Sequence, residues 1–231
     1  MRFQTLTTAT SLVLLSATSL LAQKAAVPDL APYLIADRAE EIALARSAAP
    51  RNVSDSATIL VLEKTGYVQA ARGTNGFTCL VQRSFDSSTS DPNFWNAKLR
   101  APVCFNSPAA RTVLAPMLKR NGWVLSGAAL ADVEARTQRA YASHAFPAPA
   151  PGAMAYMLSP RQYLVDADPH WMPHLMFYYD KALSGSSFGA AGMTAPIINA
   201  SAGDPHAPVQ TIFVPVRQWS DGSAAVAMGS H

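Results

Sequence analysis

Two histidines and two aspartates lie within nine residues, in the segment 166–174 (DADPHWMPH). Imidazole and carboxylate side chains are the ligands that zinc and related transition metals bind in proteins. Pro173 disfavours a helical conformation in the residue before it, and an extended strand would hold His170 and His174 roughly 13 Å apart. Only a loop could therefore gather Asp168, His170 and His174 around one divalent transition metal, as a metal-dependent hydrolase would require.

The aromatic residues around these histidines point to a different kind of site. Four residues are predicted to contact a ligand: His170, Trp171, His174 and Tyr178. Tyr178 and Tyr179 are neighbours in a predicted strand, so one of the two rings must face away from the core. We therefore favour a binding module without a cofactor, which recognises a small molecule or an envelope protein, and keep the hydrolase as the alternative. In a third interpretation, the ring of His174 satisfies buried backbone groups.

The segment 185–189 (GSSFG) matches the letters of the nucleophile elbow of serine hydrolases, and Asp204 and His206 follow it. An elbow needs a strand that runs directly into the first glycine and a helix that leaves the second. The segment 180–184 (DKALS) intervenes between the preceding predicted strand and the first glycine here, and Gly192 follows closely. The segment is instead predicted to be a glycine and serine loop.

The chain contains two cysteines, and in an exported protein they are predicted to form one disulfide. Cys79 lies on the same alternating face of a predicted strand as Phe77 and Val81, so its side chain should point inward. Cys104 follows Pro102 in a predicted loop. A bridge between them would contribute about 3 kcal/mol to stability. The alternative, a cysteine nucleophile, conflicts with an oxidising compartment.

The amino terminus has the features of a signal peptide. Arg2 provides a positive charge, residues 12–21 are mostly apolar, and Ala22 is a small residue at the predicted cleavage site. We expect a signal peptide over 1–22, a single domain over 23–231, and a periplasmic or secreted protein. The apolar segment is shorter than the roughly 20 residues of a transmembrane helix, and no later segment reaches that length, so no membrane span is predicted after signal removal.

Composition excludes some classes of function. Apolar residues make up 49% of the chain and charged residues 14%, which is typical of a folded globular protein. The formal net charge of +3 is spread over scattered basic residues without a basic stripe, so nucleic-acid binding is not predicted.

Changes of hydrophobic period divide the chain into helices and strands. Helices are predicted over 34–48 and 128–143, and a third begins at Ser107 and Pro108 and is shortened or kinked by Pro116. The predicted strands are 58–62, 67–71, 77–82, 153–158, 174–178 and 210–216, with a long ordered loop over 86–106. The fold class is α+β: an antiparallel sheet, begun by a three-stranded meander and completed by later strands, with helices packed on one face.

Several short motifs occur in order along the chain: residues 73–79 (GTNGFTC), then Cys104, 151–158 (PGAMAYML), 173–176 (PHLM) and 213–216 (FVPV). They resemble motifs of a family of exported bacterial proteins to which no activity is assigned. The resemblance covers most of the chain after the signal peptide and implies export and a single domain, but no mechanism. His174 is the one polar candidate for the site that lies inside a motif.

Overall fold

A computed structural model of the protein describes residues 29–168, 170–181, 185–189, 197–200 and 207–225. The predicted signal peptide lies outside these ranges. The helices are α1 (Arg38–Arg46), α2 (Arg51–Ser54), α3 (Ser107–Ala109), α4 (Ala115–Leu125) and α5 (Leu130–Ala142). The strands are β1 (Thr58–Glu63), β2 (Gly66–Ala71), β3 (Thr78–Gln82), β4 (Ala101–Phe105), β5 (Met154–Met157), β6 (His174–Asp180), β7 (Ile198–Ala200) and β8 (Val209–Pro215).

The eight strands form one sheet in the order β2-β1-β3-β4-β5-β6-β8-β7. Every pair of neighbours is antiparallel except β1 and β3, which are parallel. The predicted α+β class with a mostly antiparallel sheet is therefore confirmed. Strands from both sides of the proline-rich segment 146–152 (FPAPAPG) pair directly, with Cys104 of β4 opposite Tyr156 of β5.

The predicted three-stranded meander is wrong, although its three strands lie where the alternation placed them. In a meander β3 would pair with β2, but the chain instead crosses the start of β1 and pairs with its other side. The crossing depends on Gly73, where a Cβ atom would lie 2.1 Å from the backbone nitrogen of Thr58 and 2.3 Å from the carbonyl carbon of Ala57. Only glycine permits so close an approach of two backbones.

The prediction that helices pack on one face is also wrong, because helices cover both faces of the sheet. Helix α1 packs over β1, β3 and β4. The cluster on this face includes Leu44, Ala45, Ala48, Ile59, Val61, Cys79, Val81 and Cys104. The opposite face is covered by the run from α3 to α4. Its cluster includes Leu80, Val103, Phe105, Leu114, Met117, Met176 and Tyr178. Alternation along each strand supplies apolar residues to both layers.

The predicted loop over 86–106 contains strand β4, so the placement of Cys104 in a loop is wrong. Cys104 lies directly opposite Cys79 in the antiparallel register of β3 and β4, and the two are disulfide bonded. Both cysteines are fully buried beneath α1. All five residues of β4 are buried, so this strand carries no alternating polar pattern by which the sequence could reveal it.

The helix predicted from Ser107 begins there, but Asn106 is its cap: the Asn106 side chain accepts a hydrogen bond from the backbone of Ala109. A π-helical segment, Ala110–Leu114, then precedes α4. Pro116 follows this wider turn, which accommodates a residue without a backbone donor. None of the helices in the described ranges is long and apolar enough to cross a membrane.

Candidate functional site

His174 opens β6 with a side chain that is almost completely buried, at 1% exposure. Its Nδ1 atom lies 2.9 Å from the carbonyl oxygen of Met172. The ring packs against those of Trp171 and Phe213, at centroid distances of 4.7 and 4.9 Å, and these two rings also contact each other. Burial lowers the pKa of His174 to about 4, so the imidazole is neutral at physiological pH and Nδ1–H donates to Met172. This is the arrangement of a buried structural histidine.

The structure does not bring the proposed metal ligands together. Asp168 and His170 are exposed, whereas His174 is inside the fold. Nearby Asp166 accepts a hydrogen bond from the Tyr163 hydroxyl at 2.6 Å. Within the described ranges, no group of three His, Cys, Asp or Glu side chains could hold a metal ion. Asp204 and His206 lie outside those ranges.

The two neighbouring tyrosines of β6 face opposite sides of the sheet, as strand geometry requires. Tyr178 is buried in the core, with its ring 6.1 Å from that of Phe105, and this burial raises the pKa of its hydroxyl. Tyr179 lies on the other face and lines a groove. Tyr178, which was predicted to contact a ligand, is thus a core residue, while its neighbour occupies the accessible position.

An aromatic groove lies on β6 and β8, beyond the strands β1, β3 and β4 over which α1 packs. It has a volume of about 160 Å³ and is lined by Phe177, Tyr179, Phe188, Ile197, Ile212 and Val214. Phe177 and Ile212 are paired residues of the two strands. The ring of Phe188 lies 4.5 Å from that of Tyr179. Every lining side chain is aromatic or aliphatic, so the groove suits an apolar group.

Phe188 reaches the groove from the segment that matched the letters of a nucleophile elbow. Gly185–Phe188 forms a short 3₁₀ turn. The predicted glycine and serine loop thus contributes one aromatic wall of the groove.

A buried ion pair that sequence analysis missed lies beneath α1. Arg83 Nη2 donates to Glu41 Oε1 at 2.8 Å, and the backbone amide of Leu62 donates to the same oxygen at 2.9 Å. Arg83 Nε donates to the carbonyl oxygen of Tyr33 at 2.7 Å, and Nη1 donates to Val81. The charge of each partner is thus matched, as burial demands.

One sequence signal could have revealed this pair. Glu41 precedes Leu44, Ala45 and Ala48 by three, four and seven residues, so it shares their helical stripe. All four residues are buried, whereas Ala39 is exposed. An acid on the buried stripe of a helix requires a partner, and Arg83 supplies it from a distant part of the chain.

A second buried carboxylate, Asp86, lies beside this pair. Its oxygens accept hydrogen bonds from the Tyr67 hydroxyl at 2.7 Å, the Arg83 backbone at 2.8 Å and the Asn121 amide at 2.5 Å. Despite these donors, desolvation raises the pKa of Asp86 to about 6 and that of Tyr67 well above its ordinary value. Asp86 does not line the aromatic groove, and its network connects β2, α4 and the end of β3.

A larger groove of about 440 Å³ opens between the start of α1 and the hairpin of β1 and β2. Its walls are formed by Leu34, Ile35, Ala36, Arg38, Glu41, Val61, Leu62, Glu63, Lys64 and Thr65. Arg38 and Glu63 form an ion pair at its rim and are each about half exposed. This groove combines charged and apolar walls, in contrast to the aromatic groove.

Comparisons with protein-family models, with curated proteins and with solved structures found no match. The motif resemblance therefore stays a prediction. In the structure, its motifs coincide with structural junctions: Gly73 at the strand crossing, Cys79 in the disulfide, and His174 at the buried start of β6.

Proposed function

We propose that this protein is an exported, extracytoplasmic binding module that holds an aromatic or similarly compact apolar group of a small ligand in the aromatic groove. The observation that carries the proposal is the uniformly apolar lining around Tyr179 and Phe188 on β6 and β8, beyond the strands over which α1 packs. Metal-dependent hydrolysis has less support, because His174 is buried and neutral while Asp168 and His170 are exposed.

The size of the groove favours a single ring. A cavity of about 150 Å³ lined by aliphatic and aromatic side chains accommodates benzene, and the groove measures about 160 Å³. Aromatic walls add favourable edge and face contacts to the burial of apolar surface. We therefore expect a ligand whose ring enters the groove while its polar part stays in solvent.

Two features support export. The sequence of residues 1–22 is that expected of a signal peptide. A buried disulfide between Cys79 and Cys104 is typical of an oxidising compartment. The partner of the module is accordingly a small molecule met outside the cytoplasm.

Titration with p-cresol tests this proposal, because the probe carries one ring and one polar group. Backbone amide chemical shifts should change around Phe177, Tyr179 and Ile212, with a dissociation constant on the order of 0.1–1 mM. Phe188→Ala removes an aromatic wall contributed by a short turn outside the sheet. It should weaken binding about fivefold, as expected for loss of one aromatic contact.

Trp95→Ala is the matched control, because Trp95 has the most exposed large apolar side chain among the described residues, at 40%, and does not line the groove. This variant should bind p-cresol as the parent protein does. Shift changes that cluster elsewhere, or equal affinities of the parent and Phe188→Ala proteins, would contradict the proposal.

A further inference from the structure

The groove beside α1 has a fixed acidic floor. Glu41 lines the groove although it is only 1% exposed, and its carboxylate is held from behind by Arg83. Both donors described above reach Oε1, so the acceptor capacity of Oε2 is left for a donor that enters from the groove. Because Arg83 is itself anchored by backbone carbonyls, this acceptor is positioned before any ligand arrives.

The rim of the groove carries charges of both signs that can exchange partners. Arg38 and Glu63 are paired with each other across the groove, and the neighbouring Lys64 is exposed. An ion pair between half-exposed side chains contributes little to stability, so it can open at little cost when a ligand offers new partners.

The walls between floor and rim are apolar. Leu34, Ile35, Val61 and Leu62 all line the groove, and the last two are buried. A ligand that fits this groove combines a hydrogen-bond donor for Glu41, an apolar portion for the walls, and groups of both charges for the rim.

We propose that this groove is a second binding site, which takes a small zwitterion with an apolar side group, of the class of short peptides with free ends. The ammonium group lies against Glu41 and Glu63, and the carboxylate lies against Arg38 and Lys64. The apolar side group packs on Leu34, Ile35, Val61 and Leu62. This site is independent of the aromatic groove, which lies on β6 and β8 and has no charged lining residue.

The test uses L-leucyl-L-leucine and its blocked form, N-acetyl-L-leucyl-L-leucine amide, which keeps the side chains and removes both charges. The free dipeptide should shift backbone amide resonances of the hairpin turn and of the start of α1, and the blocked form should bind at least about tenfold more weakly. Binding of p-cresol should be unaffected by the dipeptide, so the proposals for the two sites are tested separately.

A double variant, Glu63→Gln with Lys64→Gln, removes rim charges at exposed positions and leaves the buried pair intact. It should lose about tenfold or more in affinity for the free dipeptide. The control is Glu40→Gln, an exposed residue of α1 that pairs with Arg161 and does not line the groove, and it should bind as the parent does. Equal binding of the free and blocked peptides, unchanged affinity of the double variant, or no shift at the solubility limit of the dipeptide would overturn the proposal.

Discussion

The guanidinium of Arg83 and the carboxylate of Glu41 meet at 2.8 Å beneath α1, and both side chains are almost entirely removed from solvent. The pair connects the first long helix to the end of β3. Backbone groups of Tyr33, Leu62 and Val81 also form hydrogen bonds with these two charged side chains. Removing one charge would leave the other buried without compensation.

Glu41→Gln should therefore lower the free energy of unfolding by about 3–5 kcal/mol. The matched variant Glu40→Gln disrupts an exposed pair with Arg161 and should cost less than about 1 kcal/mol. Urea denaturation of both proteins at neutral pH measures the difference. Similar stabilities of the two variants would show that the buried pair contributes no more to the free energy of unfolding than the exposed pair does.

Gly73→Ala should be strongly destabilising, by roughly 3 kcal/mol or more, because its Cβ would meet the backbone of Ala57 and Thr58 at the strand crossing. Gly122→Ala is the matched control: it lies in α4, and a Cβ there would meet no atom within 4 Å. Alanine favours a helix over glycine, so this variant should gain up to about 1 kcal/mol. Thermal and urea denaturation measure both changes. If Gly73→Ala leaves the free energy of unfolding unchanged, the crossing geometry is refuted.

The pH dependence of stability should contain two opposing contributions between about pH 4 and 6.5. The native pKa of His174, about 4, lies below its ordinary value of 6.5, so the unfolded chain binds the proton first and acid destabilises the fold. The native pKa of Asp86, about 6, lies above its ordinary value of 3.8, so the native state binds the proton first and acid stabilises the fold. Each contribution is about 3 kcal/mol, and they nearly cancel.

Two variants separate these contributions. In His174→Gln only the Asp86 contribution remains, so the free energy of unfolding should rise relative to the parent as pH falls from 6.5 toward 4. In Asp86→Asn only the His174 contribution remains, so the free energy of unfolding should fall relative to the parent over the same range. Urea denaturation across this pH range tests both slopes, and comparison with the parent removes the contributions of other carboxylates. Parallel profiles of all three proteins would contradict the assignment.

The disulfide should stabilise the fold and resist reduction. Replacing Cys79 and Cys104 together by alanine should cost about 3 kcal/mol, since the bond closes a loop between residues separated by 25 positions. Both sulfurs are buried under α1, so dithiothreitol should reduce the bond only after the protein unfolds. Thiol labelling with and without denaturant measures this. Rapid reduction of the folded protein would show that α1 does not cover the bond.

Much of the local structure follows from patterns that act over a few residues. Alternation located β1, β2, β3, β5, β6 and β8, and it predicted that Cys79 points inward and that the rings of Tyr178 and Tyr179 face opposite ways. Helical periodicity and a terminal proline located α1, α5 and the start of α3. Strand β4 escaped prediction because it is buried on both faces and has no alternation.

The candidate sites depend on contacts between distant segments, which no local pattern encodes. Whether Tyr178 or Tyr179 enters the core is decided by which face of β6 meets the cluster around Phe105. Glu41 and Arg83 are 42 residues apart, and they meet because α1 lies across β3. Sequence thus determined most of the elements and the class of fold, through propensities and periods within each segment. Tertiary structure alone decided the order of the strands, the burial of His174 and the positions of both grooves, because these follow from how the two layers of helices close on the sheet.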